Sequence, residues 1–171
     1  MKKIISVFLT TILTLTSFLF LFNSNVEAKN VFSKNKKLRK IDDILYVIDF
    51  PVSFKTEDGK YITTSKDGKL VAKTTDEEIF DAYYIISEAK VVLKSRINNK
   101  FINVLNDNTV IAMSDNIENG ARFSVAYERN EDKYIFKYEN DKYVSIDNNG
   151  IVNVTDNLEG KLFKFDVEIV Q

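Results

Sequence analysis

Histidine and cysteine are both absent from this 171-residue chain, which removes most common catalytic chemistry before any motif is sought. Without histidine there is no ordinary general base, no proton switch near neutral pH and no favoured zinc ligand. A zinc site would have to be built from carboxylates alone, which is unusual. A hydroxyl nucleophile would have no imidazole partner. The neighbouring acids Glu77/Glu78 and Glu131/Asp132 read as an acidic surface and carry no spacing that specifies a glycosidase. Asp67, Asp107 and Asp147 recur beside Gly68, Asn108 and Gly150. Oxygen-rich loops suit calcium, but none of these has the ligand spacing of a calcium loop, and hairpin turns call for the same residue types. The expectation is therefore no enzyme, no metal and no cofactor.

What remains could bind. Tyr83, Tyr84, Tyr127, Tyr134 and Tyr138 each offer a flat face for a sugar or a protein, with a polar tip. They are the ligand-contact candidates, although strand alternation turns about half of such residues inward. Charge is unevenly placed. Lys29, Lys34, Lys36, Lys37, Arg39 and Lys40 form a basic stretch without an acid, whereas the chain from Ile41 onward carries 16 basic and 24 acidic residues, a balance of −8. The stretch 29–40 reads as a flexible solvated arm. Its sharper reading makes Lys34, Lys36, Lys37, Arg39 and Lys40 contacts to a polyanion such as teichoic acid, anionic lipid or sulfated glycan. Such binding would weaken with salt. Nucleic acid is not an expected partner, because the acidic body would repel phosphates.

The first residues, Met1-Lys2-Lys3, precede an apolar run from Ile4 to Phe22, and then Asn23-Ser24-Asn25 and Val26-Glu27-Ala28. A short positive start, a hydrophobic middle and small residues before a cut site describe a secretory signal peptide over 1–28. The run is near the lower limit for a membrane span, but Thr10, Thr11, Thr14, Thr16 and Ser17 dilute it. No second apolar span follows, so no membrane span is expected once the leader is cleaved. The mature chain would be about 143 residues, one domain of ordinary size that needs no disulfides to hold a core. Abundant Lys, Asn, Ile and Asp resembles the composition of AT-rich Gram-positive bacteria. The expected localisation is secreted, either free outside the cell or associated with its surface.

The elements that position these residues come in three copies. Phe54, Leu93 and Phe136 match, each followed by a lysine (Lys55, Lys94, Lys137). Tyr61, Phe101 and Tyr143 match, each preceded by a lysine (Lys60, Lys100, Lys142). Turn residues Gly68, Asn108 and Gly150 follow, then Leu70, Val110 and Val152, then Ala72, Ala112 and Val154, and finally Phe80, Phe123 and Phe163. The repeats cover about 52–86, 91–127 and 133–170 of one domain over 41–171, and their anchors lie 40 and 42 residues apart. Each reads as four short strands bounded by Asn, Asp and Gly turns. Three four-stranded units are too few for a propeller but suit an all-β trefoil, in which three repeats form a closed barrel with a hairpin cap and leave no free sheet edge. The expected core is Phe54/Leu93/Phe136, Leu70/Val110/Val152 and Phe80/Phe123/Phe163. The matched lysines alternate with it and should face water. The segment 41–51 before the first repeat alternates at Ile44, Tyr46 and Ile48 like a strand, and Pro51 should limit its continuation into the repeat.

The pattern Phe/Leu-x-Lys, Gly/Asn-Lys-Tyr/Phe-Ile/Val, Gly-x-Leu/Val-x-Ala and Phe-x-Val resembles the fascin-like branch of the trefoils over about 52–170. A ricin-type lectin site, marked by Gln-x-Trp, is not implied. The chain has no tryptophan, and the matching triplets are Phe80-Asp81-Ala82, Phe123-Ser124-Val125 and Phe163-Lys164-Phe165. The resemblance does not extend to actin bundling, which uses several trefoils in tandem. The leading expectation is a monomeric, secreted, non-enzymatic module for a glycan or other cell-envelope polymer. The alternative is an extracellular protein partner, as for a protease inhibitor or host-protein effector. Kunitz-type trefoils inhibit through one protruding loop, and the longest irregular stretch here, about Ser114 to Ala121, is modest. A third reading is a structural domain that assembles in the envelope.

Overall fold

The computed structural model describes residues 38–41 and 44–170. The leader, and Lys34, Lys36 and Lys37, lie outside these residues. The described chain is all-β, with thirteen strands paired antiparallel. They are β1 (Leu38–Ile41), β2 (Ile44–Thr56), β3 (Tyr61–Thr64), β4 (Leu70–Lys73), β5 (Phe80–Ile85), β6 (Lys90–Ser95), β7 (Phe101–Val104), β8 (Val110–Ser114), β9 (Ser124–Glu128), β10 (Lys133–Lys137), β11 (Tyr143–Ile146), β12 (Val152–Thr155) and β13 (Phe165–Ile169). Tyr83, Tyr84 and Ile85, aromatic and β-branched, lie in strand β5 as such residues favour. No described helix is long and apolar enough to cross a membrane.

The strands after β1 fall into three sets of four. In each set the middle two form a hairpin: β3–β4, β7–β8 and β11–β12. The hairpin turns need a left-handed residue, supplied by Gly68 (φ 87°), Asn108 (φ 69°) and Gly150 (φ 78°). The carbonyl of each of these residues then accepts a bond from a different set. Ala112 N–H donates to Gly68 O at 2.8 Å, Val154 N–H to Asn108 O at 2.9 Å, and Ala72 N–H to Gly150 O at 2.8 Å. The outer strands also follow one rule. β2 pairs β5 and β10 pairs β13 within a set, while Val91 and Phe123 exchange two backbone bonds between β6 and the start of β9. Between sets, β5 pairs β6, β9 pairs β10 and β13 pairs β2.

This register puts apolar side chains from all three sets on one side. Phe54, Leu93 and Phe136 are buried, as are Leu70, Val110 and Val152. Phe54 lies 5.5 Å from Phe80 and 5.4 Å from Phe136, and Phe136 lies 6.0 Å from Phe165, centroid to centroid. The third expected layer needs one correction. Phe80 and Phe123 are buried, but Phe163 is only half-buried, and Phe165 takes the interior place at 3% exposure. Phe165 pairs Thr56 across the ladder as Phe80 pairs Ser95. The two phenylalanines differ by two residues, so both fit the inward parity of a strand, and ladder register alone separates them. Leu93 replaces phenylalanine in its layer, and a cavity of about 40 Å³ remains among Phe54, Leu93, Phe136 and their neighbours.

Two further expectations are revised. Pro51 does not interrupt the chain. β2 runs unbroken from Ile44 to Thr56, with Pro51 opposite Asp81 on β5 and its carbonyl accepting Val170 N–H at 3.0 Å. The last ladder pair with β13 is Val52–Ile169, so Pro51 lies just past it, where β2 is nearly an edge and a missing donor costs little. Arg39 and Lys40, counted with the flexible arm, lie in strand β1, opposite Tyr46 and Leu45 of β2.

Replacing Phe123 by Ala should cost about 3–5 kcal/mol, from lost transfer energy and the cavity left behind. Thermal melting should fall by about 10 °C or more. A variant melting within a few degrees of the parent would contradict this core.

Candidate functional site

The matched lysines do more than face water. Each lies directly across the ladder from an aromatic anchor: Lys55 from Tyr61, Lys94 from Phe101, Lys137 from Tyr143. Cross-strand neighbours are close enough to interact. The ammonium groups sit over those rings at 5.3, 5.2 and 5.0 Å from the centroids. Such contacts stabilise by about 0.5–1 kcal/mol each at exposed sites. The second lysine set is engaged as well. Lys60 pairs with Asp58 at 2.7 Å, Lys100 with Asp115, and Lys142 Nζ donates to Asn108 Oδ1 at 2.9 Å. The result is three matching lysine–ring stations, two over half-buried tyrosines and one over buried Phe101.

Of the five candidate tyrosines, Tyr83, Tyr84, Tyr127 and Tyr138 are half-buried and one is buried. Tyr134 is buried among the core residues, at 6% exposure, so it is a packing residue and not a ligand contact. It lies opposite Tyr127 across β9–β10, with ring centroids 5.0 Å apart. The Tyr127 hydroxyl donates to Asp132 Oδ1 at 2.6 Å, and that bond raises its pKa. Burial, and then the nearby Tyr127 and Asp132, push the Tyr134 hydroxyl up to about 12. Tyr138 is half-buried against Phe123 at 6.0 Å, and burial raises it too. Tyr83 is half-buried and packs on Phe101 at 5.6 Å, beside a small cluster of Ile85, Val92 and Ile117. Burial likewise raises half-buried Tyr84. Tyr127 and Tyr134 are thus brought together, while the other three are held in separate packing contacts.

The turn aspartates are engaged by groups of their own turns. Asp67 Oδ1 accepts the Ser65 hydroxyl at 2.6 Å, which holds Asp67 below the usual carboxylate range. Asp107 accepts Thr109 N–H at 3.0 Å and is likewise lowered, chiefly by that backbone bond. Asp147 Oδ1 accepts Asn149 and Ile151 N–H, both at 2.9 Å. Among the described residues no group of three or more acids gathers to hold a metal ion.

The reading of Glu77/Glu78 as an acidic surface holds for one of the pair and is corrected for the other. Glu77 is exposed, but Glu78 is buried at 3% exposure. Its carboxylate accepts Thr64 N–H, the Ser95 hydroxyl and Ile97 N–H. Ser95 Oγ in turn accepts the Thr64 hydroxyl at 3.0 Å. In the third set the corresponding donor, Ile146 N–H, reaches a backbone carbonyl, Leu162 O, at 2.7 Å. Glu78 therefore replaces a main-chain acceptor with a side chain.

The stretch Ser114 to Ala121 does not protrude. A 3-10 turn at Ile117–Asn119 buries Ile117, and Ala121 N–H donates to Ile102 O at 2.7 Å. A Cβ built on Gly120 would lie 2.7 Å from Val92 Cγ1, so the loop is pressed onto β6. Arg122 Nη1 donates to the carbonyls of Glu118 at 3.0 Å and Gly120 at 2.7 Å, and its Nε approaches Glu88 at 3.0 Å.

These features define an all-β protein built from repeated antiparallel hairpins. Neither a protein-family model nor a curated protein matches the sequence. Among solved structures, the chain is similar to the crystal structure of lysenin pore, with a TM-score of 0.53 and 12% identity, over 80% of this chain and 50% of that one. The chain thus spans half the length of that protein, and the likeness is one of fold.

Two outcomes are expected. Stability should fall as pH rises from about 10 to 12, because the folded state keeps Tyr134 protonated over a range where an unfolded tyrosine ionises. Tyr134→Phe should flatten that slope in melts recorded against pH. Separately, Glu78→Ala strands buried donors, each at about 1–3 kcal/mol, while Glu77→Ala should stay within about 0.5 kcal/mol of the parent. Denaturant titration of both variants measures the difference.

Proposed function

We propose that the chain is an exported, non-enzymatic β-trefoil of the fascin-like kind that attaches to a glycan or another repeating polymer of the cell envelope. The trefoil reading is supported by the cyclic exchange of turn carbonyls among three hairpins and by the shared pairing rule of the outer strands. The fascin-like assignment rests on the residue pattern alone, and the lysenin pore adds a fold without a ligand. The observation that carries the binding reading is the trio of lysine–aromatic stations at Lys55/Tyr61, Lys94/Phe101 and Lys137/Tyr143. Three equivalent stations suit a ligand that itself repeats, since weak contacts on one linked ligand multiply into avidity. A protruding inhibitory loop, the basis of the alternative protein-binding reading, has no counterpart in the anchored stretch Ser114 to Ala121.

Export predicts a secreted product whose N-terminal sequencing begins at Lys29. Binding predicts hits on a glycan array or retention by isolated cell walls at physiological salt. The triple variant Lys55→Ala/Lys94→Ala/Lys137→Ala should weaken retention more than any single one, by more than tenfold for an avid ligand. An empty array together with an empty cell-wall pull-down would sink this reading.

A further inference from the structure

The three hairpin turns that exchange carbonyls between sets are built alike, but the residue before the left-handed position differs. It is Asp67 before Gly68, Asp107 before Asn108, and Asn149 before Gly150. The difference is chemical. An ionised carboxylate resists attack by the next main-chain nitrogen, whereas a neutral carboxamide carbon accepts it. Asp67 and Asp107 are held ionised by the Ser65 hydroxyl and by Thr109 N–H. Asn149 is exposed, and its side-chain amide has no hydrogen-bond partner among the described residues. The glycine after it carries no side chain to shield its nitrogen.

Asn-Gly occurs twice in the chain, at 119–120 and 149–150, and the two sit in opposite settings. At Asn119-Gly120 the main chain is gripped. The Ser114 hydroxyl donates to Asn119 O at 3.3 Å, Arg122 Nη1 donates to Gly120 O at 2.7 Å, and Gly120 is buried. A Cβ on Gly120 would meet Val92 Cγ1 at 2.7 Å and Ile117 O at 3.2 Å, so this backbone has little room to turn. At Gly150 the nearest atom to such a Cβ is Ala72 O, at 3.4 Å. Gly150 N–H donates to Asp147 O at 2.9 Å and Gly120 N–H to Ile117 O at 3.1 Å, so each nitrogen must release one turn bond before it reacts. Release is cheap at an exposed hairpin tip and costly in a loop packed on β6.

We propose that Asn149 is a site of spontaneous deamidation through a cyclic imide formed with the Gly150 nitrogen, and that Asn119 is protected from the same reaction. The Gly150 nitrogen gives its proton to solvent base and attacks Asn149 Cγ. The bond from Cγ to the carboxamide nitrogen breaks, and that nitrogen leaves as ammonia. Water then opens the imide. Opening at Cγ gives aspartate. Opening at the main-chain carbonyl carbon gives isoaspartate, with an extra atom in the backbone. The two products differ in consequence. Aspartate at 149 recreates the Asp67-Gly68 turn of the first set, which the fold already holds. Isoaspartate lengthens the turn closed by Gly150 N–H on Asp147 O and by Asp147 N–H on Ile151 O at 3.0 Å. Gly150 O then shifts from Ala72 N–H, one of the three bonds that join the sets. An irreversible chemical change at a surface turn is thereby coupled to the contact between the third set and the first. This inference does not depend on the polymer reading.

The test ages the full parent chain in warm, mildly alkaline buffer and follows both Asn-Gly sites by tandem mass spectrometry. Residue 149 should gain about one dalton as the carboxamide becomes a carboxylate. Residue 119 of the folded chain should react about tenfold more slowly, or less. In denaturant the two rates should converge, because only the fold separates them. Isoaspartate at 149 should be detected by an isoaspartyl methyltransferase, and the isoaspartate form, isolated by chromatography, should melt below the parent. Asn149→Asp should melt like the parent, and Asn149→Ser should show neither the mass gain at 149 nor the fall in melting temperature on ageing. The proposal is overturned if residue 149 stays intact in the folded chain, if residue 119 keeps pace with it there, or if the isoaspartate form melts like the parent. Asn149→Asp melting as low as the isoaspartate form would overturn the role given to the lengthened backbone.

Discussion

The structure turns on three backbone hydrogen bonds. Each hairpin presents the carbonyl of its left-handed turn residue, Gly68, Asn108 or Gly150, to a strand of a different set. A left-handed residue points its carbonyl outward from its own hairpin, and glycine or asparagine reaches that conformation with little strain. Each of these bonds therefore joins two sets, and the three together link every set to both of the others. The shared core enforces the same condition, because Phe54, Leu93 and Phe136 come from three different sets and meet in one layer. Local turn chemistry and long-range burial thus support one arrangement, which is the consistency expected of a cooperative fold.

Within that frame, some contacts repeat in every set and others occur in one set alone. The lysine-over-ring contact occurs in all three sets and stabilises each of them. Departures are confined to single sets. The first set uses buried Glu78 where the third uses a main-chain carbonyl. The third places Phe163 half-buried on the surface, 6.0 Å from Tyr143 with Lys164 above it. The second exposes Ile97 and Met113 and anchors its loop with Arg122. These changes leave the buried cluster of Phe54, Leu93 and Phe136 in place, although Glu78 reaches across to Ser95 and Ile97 of the second set.

Much of this frame was legible in the residues. Periodic Phe, Leu and Val anchors at period two, and Asn, Asp and Gly turns at regular spacing, specify strands and hairpins because they reflect local backbone preference and one-sided burial. The all-β class, the four-strand units and most core positions follow from that. Phe163 was misplaced because Phe163 and Phe165 have the same parity, and only the pairing of Phe165 with Thr56 tells them apart. Pro51 misled because its cost depends on where the ladder with β13 ends. The tyrosines were ambiguous for a similar reason: alternation gives the side of a strand, but Tyr134 is covered by what packs over it.

By itself, then, the sequence determined composition-level chemistry, the strand pattern and the three copies, since these depend on residue type and near-neighbour spacing. It also excluded histidine- and cysteine-based chemistry outright. Only the tertiary structure decided which sets exchange carbonyls, which carboxylate is buried, how lysine meets ring, and which apolar side chains stay in water. Those outcomes depend on contacts between residues tens of positions apart, and spacing along the chain does not encode the depth at which a side chain ends.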